Sequence, residues 1–425
     1  MFDYYKLDLQ LFASPINRSV DDGGSHNLNG ATNDLSAEMK TFYDMTLIDM
    51  AQANLVHDQF AQKRPIPKNG GKTIEFRKFA PLAKALTPLT EGVTPDGDTL
   101  NVTSQTATVS QYGNYIVQSD ILELTALDNT ILEATKLLGR QAGLTLDTVT
   151  RNVMQASTNV TYASKWSGTT ETPVTSRAGF DNTAILKVDT VNQVVAKLRS
   201  INAPTINGDY VAIIHPFVAY DLMRDPEWIE AHKYAKPDNL YEGEIGKIGG
   251  VRFVQTSEAL IIAPNEIKGG FNRLTVKTDA SASTSVTVKE AVPAGSDLAI
   301  DCYVNGTANK ITAISYNAGG STLTLQSAAT VTAGQMICGA GATTFGGAVF
   351  SSLFLAQGAY GVTEITGGGL QTIVKQKGSA GTGDPLDQRS SIGWKAIKTA
   401  ELLIPDYLVR VESVSPRFSM TAESN

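Results

Sequence analysis

Residues 124–153 read LTALDNTILEATKLLGRQAGLTLDTVTRNV. Apolar side chains recur at Leu124, Leu127, Ile131, Ala134, Leu138, Ala142, Leu146, Val149 and Val153. The steps are three or four residues each and average close to the roughly 3.6-residue repeat of an α-helix. This spacing predicts one long helix with a single buried stripe. From Asn129 to Gln155 it would run for about 40 Å at about 1.5 Å per residue. Asp128 or Asn129 supplies a cap for a restart within the pattern.

Upstream of this helix the sequence changes period. Lys63 to Gly71 (KRPIPKNGG) cannot be helical, because Pro65 and Pro67 impose extended geometry and Asn69-Gly70-Gly71 supplies a turn. Lys72 to Phe79 alternates Ile74, Phe76 and Phe79 with charged residues, as an exposed strand does. Pro, Gly and Thr dominate Ala80 to Leu100, and strand character returns from Val102 to Val117. Together these segments predict an extended hairpin with too little apolar material to be stable alone, so it must lie on something else. Before it, Met39, Phe42, Tyr43, Leu47, Met50, Ala51, Leu55, Val56 and Phe60 predict an amphipathic helix over Ser36–Phe60. Ser14 to Ser36, rich in Asn, Asp, Gly and Ser, reads as a flexible arm. Met1 to Ala13 lacks the basic start and unbroken apolar stretch of a secretory signal, so export by that route is not expected.

Downstream, Thr158 to Phe180 is polar and loop-like. Asp189 to Glu258 reads as a compact α/β section: a helix through Val191, Val194, Val195 and Leu198, a buried strand at Tyr210–Ile214, a helix after His215-Pro216, and a strand at Val251–Gln255. Composition breaks near Ala263. No charged residue lies between Lys310 and Glu364, and Phe271 to Phe345 carries only Arg273, Lys277, Asp279, Lys289, Glu290, Asp297, Asp301 and Lys310. Short Thr/Val/Ile runs (RLTVKT, SVTVKE, LAIDCYV, KITAISY, STLTLQS) alternate there with Gly, Asn and Pro turns. That is the pattern of a small all-β module, Ig-like or a small barrel, and it reads as an insertion at an exposed loop.

Composition excludes several classes. The chain has 425 residues, enough for two or three domains. With 42% hydrophobic and 18% charged residues it is too apolar and too weakly charged to be disordered. Its apolar runs are too short and interrupted to span a bilayer, so no membrane partner is expected. Two cysteines exclude a disulfide scaffold and suit a reducing cytosol. A net charge of -7 gives no reason to expect a dedicated nucleic-acid reader.

A catalytic constellation cannot be assembled. His26, His57, His215 and His232 fall in no metal-ligand spacing, and His215, ending a buried strand, reads as a structural histidine. Cys302 and Cys338 lack C-x-x-C spacing and read as buried small apolar residues, with a disulfide between two strands as the alternative. Gly243, Gly246, Gly249 and Gly250 meet neither phosphate-loop pattern and read as a close-packed loop. Asp96 and Asp98 lack the ligand series of a calcium loop and read as a turn. No enzyme activity, cofactor or metal is expected. One charge pattern stands out. Lys63, Arg64, Lys68, Lys72, Arg77, Lys78 and Lys84, with only Glu75 among them, give a local net of +6, while the adjoining tip carries Glu91, Asp96 and Asp98. On one exposed hairpin these ten residues would set the register between neighbouring copies; a solvated face, or weak contact with DNA, is the other reading.

Met39 to Leu82, Leu89 to Gly97 (LTEGVTPDG), Gln111 to Asp128 (QYGNYIVQSDILELTALD) and Ile131 to Val153 closely resemble the major capsid proteins of the phage N-4-type family. The likeness covers roughly residues 39–260 and 347–417. It implies an α+β Hong Kong 97-type capsid fold: N-terminal arm at 1–70, extended loop hairpin at 71–118, peripheral domain with the spine helix at 119–188, and first part of the axial domain at 189–262. The inserted all-β module would occupy 263–346, and the axial return with the C-terminal peripheral strands 347–425. It also implies a virion protein, made in the host cytoplasm, that self-assembles through hexamers and pentamers into an icosahedral head enclosing double-stranded DNA. Portal, scaffold and decoration proteins are the further partners expected. The alternative reading is a secreted or tail-associated β-rich adhesin, which the β insert alone motivates.

Overall fold

A computed structural model describes residues 37–38, 56–79, 82, 84, 86, 88, 91, 97–125, 128–233, 246–366, 368–375, 386 and 388–425. The arm, most of the expected Ser36–Phe60 helix, His26, Asp96 and Gly243 lie outside the described residues. The chain divides into two compact units. The first holds Met1–Gln59, Lys63–Thr150 and Gly361–Glu401; the second holds Phe60–Gln62, Arg151–Tyr360 and Leu402–Asn425.

The long helix spans Thr130–Gln155, the first unit holding it as far as Thr150, with Glu133 in its first turn where the helix dipole favours an acid. The apolar repeat that begins at Leu124 is not continuous. It belongs first to a short helix, Asp120–Thr125, and breaks at Asp128–Asn129, which pair in parallel with Ala37–Glu38. The stripe itself is as expected: Leu138, Ala142 and Leu146 pack against Ile392, Trp394 and Ala396 of the strand Arg389–Leu402. That strand buries every second residue from Ile392 to Ala400. Burying each large apolar side chain stabilises by about 1.5–3 kcal/mol. Along one edge it pairs with Ser110–Ser119, from Lys398↔Ser110 to Arg389↔Ser119. Gly393 faces Tyr115 so closely that an added Cβ would lie 2.7 Å from the Tyr115 Cβ. The hairpin is the ribbon Thr73–Phe79 paired with Val102–Thr108, and its return strand continues past Val109 into the Ser110–Ser119 pairing. The helical period expected as far as Phe60 does not reach it, because 57–60 form turns.

In the second unit the fully buried strand Tyr210–Ile214 lies parallel to Val251–Gln255 and antiparallel to Val349–Leu355, which pairs in turn with Leu408–Ser413. The helices Val188–Ser200, Pro216–Met223 and Pro226–Lys233 cover this sheet through Val191, Val195, Leu198, Val218, Leu222 and Trp228. The loop-like Thr158–Phe180 stretch contains strands. Val160–Tyr162 joins the central sheet beside Leu408–Ser413, and Lys165–Ser167 pairs with Thr170–Thr172. Three-residue strands are too short to show a period in the sequence.

Residues 273–339 form a six-stranded antiparallel sheet in the order Arg273–Thr275, Met336–Gly339, Ile300–Val304, Thr307–Ser315, Thr322–Val331, Ala280–Thr287. Its two end strands meet through the bridge Val276↔Val288 and the flanking bonds Lys277 N–H to Thr287 O and Lys289 N–H to Thr275 O, so the sheet closes into a small barrel. Leu274, Val286, Val304, Ile311, Leu323 and Ile337 fill it. Closure removes the open edges that a sheet this poor in charge would otherwise present.

Candidate assembly surfaces

The hairpin is fastened at its root within the first unit. Ile66 is buried and donates its N–H to Glu364 O at 2.8 Å, and Arg64 N–H reaches Val362 O at 3.2 Å. The chain then turns through Gly70, whose N–H bonds Pro67 O at 2.9 Å, and through Gly71 at φ +89°, a conformation that favours glycine. Arg64 lies over the Phe76 ring at 5.8 Å.

Beyond this root most charges stand free of the body. Lys63, Lys68, Lys72, Lys84, Glu91 and Asp98 are exposed and Lys78 is half-buried. Of the sequence-selected residues the fold brings Arg77 to Glu75, at 3.4 Å across an exposed strand face. The Ser104 hydroxyl on the opposite strand, with Arg77, holds the Glu75 carboxyl below its ordinary range. Leu82, Leu86, Leu100 and Val102 are exposed on the same arm, Leu86 to 81%. The long helix itself presents a shallow, open and mainly apolar face, formed by Leu137, Arg140, Gln141, Leu144, Thr145, Thr148 and Val149.

A buried polar cluster, not selected from the sequence, holds the segment before the hairpin. The His57 N–H donates to Asp147 Oδ1 at 2.8 Å, its Nδ1 lies 2.6 Å from Asp147 Oδ2, and both side chains are fully buried. Beside them Thr150 donates to Asp58 Oδ1 at 2.6 Å. Lys398 Nζ donates to Asp58 Oδ2 and, at 2.9 Å, to Leu146 O. Buried charges are tolerable only when paired and bonded in this way. The signal was present: Lys398 falls on the buried register of an otherwise apolar alternation.

The second unit has its own buried charge. Glu412 is fully buried and takes a two-pronged contact from Arg177, 2.6 Å to Nε and 2.7 Å to Nη2, with Arg410 at 3.3 Å. Glu412 holds the Arg177 guanidinium above its ordinary value, whereas burial lowers that of Arg410. His215 caps the helix Pro216–Met223 by accepting the Phe217 N–H at 3.2 Å, and burial pushes its imidazole down to about 4. Cys302 and Cys338 are free and buried on neighbouring barrel strands, so the disulfide alternative falls. Gly249 and Gly250 form the turn before Val251–Gln255, each at positive φ. Among the described residues no group of side chains suits a metal ion, and no helix is long and apolar enough to cross a membrane.

The family model of phage capsid proteins matches residues 32–350, running through the barrel. The chain belongs to this family. No curated protein matches it. Among solved structures it is similar to the capsid of Ralstonia phage GP4, at 12% identity over 94% of this chain and 98% of that one with a TM-score of 0.52. It is similar to the capsid of cyanophage Pam1 at 10% identity over 92% and 98%, TM-score 0.52. A third likeness is to the capsid of cyanophage P-SCSP1u at 14% identity over 96% and 94%, TM-score 0.50. The fold is the α+β Hong Kong 97-type capsid fold. The protein is a structural component of the virion shell. Its functional surfaces are therefore those that copies present to one another.

Proposed function

We propose that this chain is an N-4-type major capsid protein whose copies form hexamers and pentamers of an icosahedral head, the hairpin of each lying across its neighbour. The hairpin carries this reading. A two-stranded ribbon with four large apolar side chains in solvent gains stability only when a second surface covers it. The exposed apolar face of the long helix on a neighbouring copy suits that cover: Leu137, Leu144 and Val149 would take the apolar arm, and Arg140 the acids Glu91 and Asp98. The basic root, Lys63, Arg64, Lys68, Lys72, Arg77, Lys78 and Lys84, steers the approach and fixes register. Asp96 completes the acidic tip in sequence. Residues 1–70 act as the arm, 71–118 as the extended loop and 119–188 as the peripheral domain. Residues 189–262 act as the axial domain together with its return in 347–425, whose C-terminal strands belong to the peripheral domain, and the barrel within 263–346 projects outward as a stabilising module. Portal, scaffold and decoration proteins are the further partners, and the enclosed double-stranded DNA is held by weak non-specific contact.

Electron microscopy of the expressed protein tests the reading. Closed shells or capsomer rings are expected. Reversing Lys68, Arg77 and Lys78 to Glu is expected to block assembly while the subunit stays folded. A subunit that remains monomeric under all assembly conditions overturns the shell, and undiminished assembly of the reversed variant overturns the role of the charged hairpin.

A further inference from the structure

On the second unit two guanidinium groups converge on one aromatic ring. Arg224 lies 5.5 Å from the centroid of Tyr220 and donates to its hydroxyl at 3.3 Å; Arg417, from the C-terminal segment, lies 5.7 Å from the same centroid. Both arginines are exposed, and among the described residues neither forms an ion pair. The arrangement is built rather than incidental. Tyr220 sits on the helix Pro216–Met223, and Phe217 from that helix stacks on Phe418 at 4.1 Å, which fixes Arg417 beside the ring. Phe418 also meets Tyr220 edge-on at 5.8 Å. The neighbouring acid, Asp221, interacts with both guanidiniums, but one of its carboxylate oxygens is buried, and desolvation, the largest influence on it, raises its carboxyl above the usual range.

Two guanidinium groups held at one ring leave a local excess of positive charge over the single acid beside them, which an anion offsets. Guanidinium forks match the paired oxygens of a phosphate, and the Tyr220 hydroxyl, accepting from Arg224, keeps its own hydrogen to donate. We infer that Arg224, Arg417 and Tyr220 form a phosphate-binding site that takes the backbone of the nucleic acid enclosed by the shell. The choice of nucleic acid rests on the proposal that the shell encloses DNA. One weak site per subunit, repeated around a shell, would line the wall with positive points and leave the acidic protein as a whole without tight affinity for DNA.

Binding of a fluorescein-labelled duplex of about 20 base pairs to the purified subunit, followed by anisotropy between roughly 50 and 200 mM salt, tests the site. For Arg224→Gln/Arg417→Gln, binding is expected to weaken roughly tenfold at the low end and the salt slope to fall by about one, for the one phosphate no longer neutralised. Tyr220→Phe, which keeps the ring, is expected to weaken binding a few-fold. Lys289→Gln/Lys375→Gln removes the same net charge elsewhere and is expected to leave binding unchanged. Equal loss in both double variants, no loss in the arginine variant, or displacement of the duplex by polyglutamate as readily as by unlabelled duplex overturns the inference. The last result would make the site one for an acidic protein surface; displacement by millimolar inorganic phosphate alone would make it one for the free ion. Failure of the shell reading shows separately, as absence of shells from the unaltered protein.

Discussion

Lys398 donates its ammonium to the carboxylate of Asp58 in a buried contact between residues 340 positions apart. The bond ties the segment before the hairpin to the strand Arg389–Leu402, and Thr150 and the Leu146 carbonyl complete the partners of both groups. A buried pair owes its tolerance to completeness, because either charge left alone keeps the whole desolvation cost. Lys398→Met is therefore expected to destabilise the subunit by about 3–5 kcal/mol by stranding Asp58. Lys398→Met/Asp58→Leu should recover most of that loss. Urea unfolding of the wild type, the single and the double variants measures this; a double variant no better than the single one would refute the account.

Glu412 poses the same question in the second unit, with a different expected size. It keeps Arg410 at 3.3 Å when Arg177 is removed, so it is never left alone. Arg177→Met is expected to cost less than Lys398→Met. A cycle of Arg177→Met and Glu412→Gln should give a coupling of about 2 kcal/mol, in the range for residues in one network. Coupling near zero in denaturant titrations would mean that the two-pronged contact contributes only packing.

The long helix, the hairpin strands, the α/β section and the barrel runs were legible because each carries a period over many residues. The stripe from Ala134 to Leu146 and the alternation from Ile74 to Phe79 needed no tertiary information. Val160–Tyr162 and Lys165–Ser167 were not legible, since they are strands only because Leu408–Ser413 or a neighbouring three-residue strand pairs with them. Met336–Gly339 was missed for a similar reason: it is four residues long and follows Gly334 without a full alternation. The candidate surface divides the same way. Exposed charge on the hairpin was readable from composition and alternation. The Asp58–Lys398 contact and the Arg224–Tyr220–Arg417 convergence join distant segments that no local pattern relates.

The barrel thiols provide a chemical check on the closed sheet. Burial pushes Cys302 up to about 12 and Cys338 up to about 11, so neither presents a thiolate near neutral pH. Both should resist iodoacetamide at pH 8 in the native subunit and react fully once it is unfolded, with no mass shift from a disulfide. Rapid native labelling of either would show that the barrel opens or that its strands do not close as described.

His215 sets an acid limit on the second unit. Its imidazole is neutral as the helix cap, and its value falls from an ordinary 6.5 to about 4 on folding. A depressed histidine adds stability that is fully present above the unfolded value and is lost as pH drops towards the folded one, because the unfolded chain then binds a proton that the folded chain refuses. Stability should therefore decline between pH 6.5 and 4 by more than the carboxylates alone account for. His215→Asn keeps an acceptor for the Phe217 N–H but cannot ionise, so it should flatten that part of the curve while lowering the plateau by about 1 kcal/mol through weaker packing against Phe217 and Phe350. Thermal midpoints measured across this window for both proteins decide it. Parallel curves would show that the histidine takes up its proton without disturbing the cap.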